Sequence, residues 1–321
     1  VTVPSPGGFL RATVAAVLTA ALLWLADPAA VADATSSADL SWIGVAILLV
    51  VADRALMAYR LVVLLHVIEP GGRPPLGPIL RLFFISTFAG TFLPSSVGGD
   101  FVRAYGLSRL NVPSGTAVAV VVMDRLLGVI SIVLMGTLGL WFAGRADLMS
   151  NQAVLVPLCM AGGCSLIAVA VIFSDRAASF AGAIALRLPF SRLRALAGGL
   201  IQATRAYARF DIVLLNVLSC SIAVQALRIL QAYLLGLALG IAASPEVYLA
   251  FVPVVLLVML MPITINGIGT SQAAFVWLFG LAGVPEAQAF ALSILFLALG
   301  VVGNLPGGLL YAFKPGDALP Q

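Results

Sequence analysis

The chain has 321 residues, 62% hydrophobic and 9% charged, with a formal net charge of +4. Its mean hydropathy is +1.13, whereas a soluble domain carries about 25% charged residues. A water-soluble fold of this size cannot hide so much apolar side chain, so the expected fold is an all-α polytopic membrane protein with no separate soluble domain.

Six apolar stretches reach the roughly 20 helical residues needed to cross a bilayer: Phe9–Ala26, Leu40–His66, Ser114–Ala143, Ala153–Phe173, Ile212–Gly240 and Ala287–Phe313. Arg11, the first apolar run and the small residues Ala29–Ala34 also resemble a secretory signal peptide; an uncleaved first span is the expectation. Two shorter stretches behave differently. Leu82–Leu93 runs into Pro94-Ser95-Ser96-Val97-Gly98-Gly99-Asp100 and then Phe101–Leu110. Val247–Met261 runs into Pro262 and the Asn266-Gly267-Ile268-Gly269 turn, then Thr270–Leu281. Proline breaks a helix and glycine permits the turn, so each set predicts two half-helices that enter the membrane and return. Unwound backbone at that depth requires protein or a wet cavity around it.

Loop charges give the topology through the positive-inside rule. The loop Asp27–Asp39 has acids and no base, and Ile241–Glu246 is similar; both read as outside. Arg73, Arg81 and Arg109 flank the first half-helix pair, Ser174–Asp211 carries Arg176, Arg187, Arg192, Arg194, Arg205 and Arg209, and Lys314 follows the last span; all read as inside. This predicts a multi-pass protein of the inner (plasma) membrane with both termini cytoplasmic. Within the basic loop, Leu193, Leu196, Leu200, Ile201 and Tyr207 alternate with arginines over 189–210. That pattern fits an amphipathic helix on an anionic leaflet, with a solvated connector as the alternative. Cys159, Cys164 and Cys220 lie in apolar stretches without metal-type spacing and are expected as small buried hydrophobes. His66, at the end of an apolar run, is expected at the interface.

The two halves repeat one order of residues. Arg54, Ala58, Tyr59 and Leu61 match Arg228, Ala232, Tyr233 and Leu235; Pro94 and Gly98-Gly99 match Pro262 and Gly267; Val112-Pro113 and Ala117 match Val284-Pro285 and Ala289; Gly128 matches Gly300. With the topology above, the repeats are inverted. The expected division is an N-terminal span and outer loop (1–39), a first repeat (40–143), a linking span and basic loop (144–211), a second repeat (212–313) and a tail (314–321). Inverted repeats with broken helices are characteristic of transporters.

Ionisable groups inside apolar helices cost about 2.5–3.5 kcal/mol each on insertion scales and persist where they pair or bind. Here these are Asp53, Arg54, Arg60, Asp100, Arg103, Asp124, Arg125 and Arg228, while Gln225, Arg228 and Gln231 make a polar stripe. Five arginines face three aspartates, and an anionic ligand such as a phospholipid headgroup would offset the excess. Alternatively Arg60 and Arg103 snorkel to the interface and no excess exists. Helix starts favour anions, so Gly98, Gly99 and Asp100 at one start and Asn266, Gly267 and Gly269 at the other form a candidate cradle; tight helix packing is the other use of such glycines. Gly98-Gly99-Asp100 lacks the first glycine of the intramembrane protease motif, since Val97 stands there. No catalytic motif, metal site or cofactor is expected.

The run Phe92-Leu93-Pro94-Ser95-Ser96-Val97-Gly98-Gly99-Asp100-Phe101-Val102-Arg103, followed by Asp124-Arg125-Leu126-Leu127-Gly128, resembles the lysylphosphatidylglycerol synthase transmembrane family. This is the flippase-type domain of the multiple peptide resistance factor and its stand-alone relatives. Pro262, Gly267-Ile268-Gly269 and Pro306-Gly307-Gly308 also match, so the likeness covers roughly residues 40–313. It implies lipid translocation between leaflets, with Arg54, Arg103, Arg125 and Arg228 holding a headgroup and Asp100 and Asp124 orienting them. The implied partners are membrane lipids with anionic or zwitterionic headgroups, a lipid- or glycan-assembly enzyme and a second copy of the chain, and not nucleic acid. A scaffold for a lipid-modifying or glycosyltransferase partner is the alternative, with an intramembrane lipid enzyme behind it. Nothing here resembles the aminoacyl-transferase domain of full-length members, so lysyl-lipid synthesis is not expected. Gln272 stands where the family pattern usually has Glu, which casts doubt on an aminoacylated cargo.

Overall fold

The computed structural model describes residues 38–68, 74–92, 95–143, 152–187, 190–261 and 268–312. The expected span Phe9–Ala26, Asn266 and Gly267 lie outside the described residues. Those described form only helices, turns and connecting segments, with no strand among them. In chain order the helices are α1 (Leu40–Ile68), α2 (Leu76–Gly90), α3 (Ser95–Arg109), α4 (Ser114–Ala143), α5 (Gln152–Phe173), α6 (Asp175–Leu186), α7 (Ser191–Arg205), α8 (Asp211–Ala238), α9 (Pro245–Leu260), α10 (Thr270–Leu281) and α11 (Glu286–Ala312), with a 3₁₀ turn at Ala206–Arg209.

Five helices, α1, α4, α5, α8 and α11, are long and apolar enough to cross a membrane. Large apolar side chains such as Leu48, Trp141, Leu166 and Ile167 stand exposed on them, which lipid tolerates and water does not. The 15 residues of α2 and of α3 give about 22 Å at 1.5 Å per residue, short of a core of about 30 Å. They pack as an antiparallel hairpin. Gly90 and Gly99 bring the backbones together, because a Cβ on either would lie about 3 Å from the other's Cα. Gly99 therefore serves tight helix packing. Helices α9 and α10 form the second hairpin, held by Phe279 edge-on to Tyr248 and Phe251.

The sequence repeat has a structural counterpart. α3 ends with Asn111 at φ 63° and α10 with Gly283 at φ 82°. After each, the Val112 and Val284 N–H groups donate to the carbonyls of Leu107 and Phe279, five residues back; this is the Schellman closure of a helix end. The next helix then starts on Pro113 or Pro285, where a missing N–H costs nothing. α1 and α8, the first helices of each half, pack along their lengths in opposite directions: Asp39 N–H donates to Ala238 O at one end and Tyr207 Oη to Leu64 O near the other. The halves then exchange partners. α4 crosses α9 through Gly136 and Gly139, and α11 crosses α2 through Gly307 and Gly308. In membranes small residues drive such crossings, because close backbone approach replaces the hydrophobic effect as the source of packing energy.

The helix expected within the basic loop is present as α7, and α6 precedes it and packs against it. α7 also docks on α4 and α5, burying Thr204, while Tyr207 beyond it is fully buried. Burial pushes the Tyr207 phenol above its usual value, so it stays protonated and donates its hydrogen bond. One expectation needs correction: the cysteines are not buried, since Cys159 and Cys164 are exposed on α5 and Cys220 is half-buried, all three as free thiols.

Candidate functional site

The interior charges converge where α1, α3, α4 and α8 meet. Asp53, 2% exposed, accepts from Arg54 Nη1 and Arg228 Nε, each at 3.1 Å. These two arginines occupy equivalent positions of the repeat, and they share one carboxylate. Both also donate to Met57 Sδ, at 3.4 and 3.1 Å. Arg54 reaches further, to Gly303 O at 3.3 Å and Gly300 O at 3.5 Å on α11, an approach that a Cβ at Gly303, 3.0 Å from Arg54 Nε, would crowd. This cluster lines a cavity of about 200 Å³ together with Gln231 and Asn304.

A second cluster surrounds Asp124. Arg60 Nη2 lies 2.6 Å from Oδ1, and Arg103 Nη1 lies 3.8 Å from Oδ2. Arg103 is further held by Ser86 Oγ at 3.2 Å, Thr87 Oγ1 at 3.3 Å and the Phe83 ring, 5.1 Å from its guanidinium carbon. Arg60 and Arg103 are only 3% and 4% exposed. They do not snorkel, and the two excess positive charges are real. Gln225 leans into the same space, donating to Ser131 Oγ. The cavity here is about 70 Å³.

The third pair is a fork: Arg125 Nε and Nη2 donate to the two oxygens of Asp100 at 2.6 and 2.8 Å, the bidentate geometry that guanidinium favours. It forms the polar end of a groove of about 770 Å³ between α3, α4, α5, α6 and α7. The rest of that groove is apolar. The hydroxyls of Ser165 and Thr204 turn back to their own helices' carbonyls.

The three cavities are joined by shared side chains. Arg125 lines both the groove and the small cavity, and Arg228 lines both the small cavity and the one beside Asp53. The three are therefore neighbours, and charged side chains run in series from the groove to the contact between the repeats. Apart from Arg228, the charged groups in this series belong to the first half. At matching distances from Pro113 and Pro285, Arg103 corresponds to Phe275 and Asp124 to Phe296; where the first half has an ion pair, the second packs two rings 5.4 Å apart with their planes tilted by 59°.

The candidate glycines divide. Gly98 and Gly99 lie inside α3, which begins at Ser95, so Gly99 and Asp100 sit past the free N–H groups of the helix start. At the other hairpin Gly269 caps α10 with φ 84°, a conformation that suits glycine. Its N–H donates to Gln272 Oε1 at 2.7 Å, which also accepts from Ser271 Oγ at 3.0 Å. Gln272 therefore serves as the far half of a capping box and occupies its own helix start. Counted from the shared prolines, it is also the counterpart of Asp100.

Asn304 went unnoticed in the sequence, although it is an amide deep in the apolar run of α11; it donates to Thr91 Oγ1 at 3.0 Å and ties α11 to the first hairpin. Ser86 and Thr87, which hold Arg103, carried no signal beyond being polar in a short apolar helix. No group of His, Cys, Asp and Glu that would hold a metal occurs among the described residues.

No curated protein matches the chain. Residues 10–307 match the family described as the Lysylphosphatidylglycerol synthase TM region. With that match over most of its length, on a fold whose hairpins, repeat and buried arginines carry the same motifs, the chain belongs to the lysylphosphatidylglycerol synthase transmembrane family.

Proposed function

We propose that the protein moves a phospholipid or lipid-linked headgroup between the leaflets of the inner (plasma) membrane. The observation that carries this is the series of three cavities joined by Arg125 and Arg228. An acyl chain would lie in the apolar groove, which is within the roughly 300–1,000 Å³ typical of ligand sites. The headgroup phosphate would meet Arg125 first, beside Asp100, and pass to Arg103 and Arg60 and then to Arg228 and Arg54. Five arginines share three carboxylates along this route, so a phosphate would add to their compensation and need not strip an aspartate of its partner. Related helices running in opposite directions supply two similar arrangements that alternate access requires. In this scheme both termini are cytoplasmic, the five segments given above are the working units, and the basic face of α6 and α7 meets the anionic inner leaflet or an assembly enzyme.

The test is lipid movement in proteoliposomes carrying fluorescent lipids. Wild-type protein should exchange lipid faster than protein-free vesicles, and Arg228→Ala should slow exchange at least tenfold while the purified variant keeps its elution volume and helical signal. Rates equal to protein-free vesicles for every lipid class would overturn the translocation reading and favour the scaffold one.

A further inference from the structure

The charge and hydrogen-bond accounting of the path narrows the cargo. Within the membrane helices described, Asp53, Asp100 and Asp124 are the interior carboxylates, and each is already bound to arginine. Five guanidiniums share them, so two positive charges stand uncompensated in a bundle that also buries Arg60 and Arg103 almost completely. Among the described residues lining these cavities, two buried N–H groups have no acceptor: Gln231 Nε2, on a residue 5% exposed, and Arg60 Nε, on one 3% exposed. Gln231 lines the cavity with Arg54 and Arg228, and Arg60 lines the next one. Unused donors beside excess positive charge describe a receptor for an oxyanion. Among the described residues three buried acceptor oxygens on these cavities take no hydrogen bond, Asp124 Oδ1, Gln225 Oε1 and Asn304 Oδ1; the first lies 2.6 Å from the Arg60 guanidinium, and the other two are neutral and suit hydroxyl groups. The carboxylates lining the three cavities are Asp53, Asp100 and Asp124, all held by arginine, so none is left to receive an ammonium group, and the capping amide of Gln272 supplies no charge at the Asp100-equivalent position.

We infer that the path takes a headgroup of net negative charge, a phosphodiester with hydroxyl rather than amine substituents, and rejects cationic aminoacylated lipids. This rests on the translocation reading and assigns the charge class of its substrate. Selectivity comes from repulsion as much as attraction: a headgroup with net positive charge would enter a space already two charges in excess, with its amine unpaired.

Two measurements separate this from translocation itself. In detergent, the purified protein is titrated with short-chain phosphatidylglycerol, short-chain lysylphosphatidylglycerol and inorganic phosphate, and its thermal midpoint is followed. The anionic lipid should raise the midpoint, and the cationic lipid should leave it unchanged. In proteoliposomes the anionic lipid should cross at least tenfold faster than the cationic one. Gln231→Glu places a carboxylate opposite Arg54 and Arg228 and should bring that ratio toward one without loss of stability. Stabilisation by the anionic lipid with no transport would uphold the charge assignment and defeat translocation. Equal or stronger stabilisation by the cationic lipid, or by inorganic phosphate alone, would overturn the assignment.

Discussion

Replacing Asp53 with asparagine keeps the shape of the side chain and removes the charge that holds two repeat-related arginines together. Asp53 lies 3.1 Å from both Arg54 and Arg228. Unit charges about 4 Å apart interact by about 4 kcal/mol at an effective dielectric of 20. The substitution removes two such attractions and leaves the guanidiniums facing one another. Breaking a buried ion pair costs about 3–5 kcal/mol in practice. The side chains of Arg54 and Arg228 retain 14% and 23% exposure, so the lower end, about 3 kcal/mol, is expected. That is roughly a hundredfold in the folded-to-unfolded ratio. Thermal unfolding in detergent, or steric trapping in bicelles, measures it. Arg228→Gln alone should cost less than Asp53→Asn, because Asp53 keeps Arg54. The double variant Asp53→Asn/Arg228→Gln should regain more than half of the loss. A single Asp53→Asn variant as stable as wild type, or a double variant no better than the single, would refute charge compensation as the organising principle of this cluster.

A Cβ at position 307 would overlap the Phe84 carbonyl of the other half, so Gly307→Ala should destabilise by about 1–3 kcal/mol. Gly300 has open space around its Cα, and Gly300→Ala should be neutral or stabilising by up to about 1 kcal/mol; thermal midpoints of the two distinguish packing from composition. Tyr207→Phe removes the hydrogen bond to Leu64 O, whose carbonyl keeps its helical partner within α1, and should cost about 0.5–1.5 kcal/mol, read as faster amide exchange in α7. Because the folded phenol is held above the ordinary 10.0, the unfolded chain loses its proton first, so stability is intact below that pH and falls as pH rises beyond it. Tyr207→Phe should remove this part of the alkaline loss. Gln272→Ala frees the Gly269 N–H and should cost about 1 kcal/mol, whereas Gln272→Glu keeps an acceptor in place; unequal exchange rates at the start of α10 would show the difference.

Much of the fold is legible in the sequence. Helix positions follow from local quantities: twenty or more apolar residues cross a bilayer, and Pro with Gly breaks the shorter runs. The repeat is legible because Val112-Pro113 and Val284-Pro285 close a helix and open the next by backbone chemistry that each segment carries itself. The cost of charge in lipid also marks Arg54, Arg103, Asp124 and Arg228 as special wherever they point. Their partners are not legible. Asp53 stands outside the candidate binding residues drawn from the sequence and proves to be the carboxylate on which two repeat-related arginines meet; nothing in the chain pairs it with Arg228, which lies on another helix. The same apolar background permitted Arg60 and Arg103 to reach the interface, and only packing against α4 turned them inward onto Asp124. Gln272 reads as a lost charge, yet its amide caps the helix on which it sits. The lateral groove, assembled from five helices, has no sequence signature at all. Hydrophobicity and backbone hydrogen bonding act within a segment and so are written along it. The choice of which helix face meets which is made by close packing and long-range pairing, and exists only once the segments have assembled.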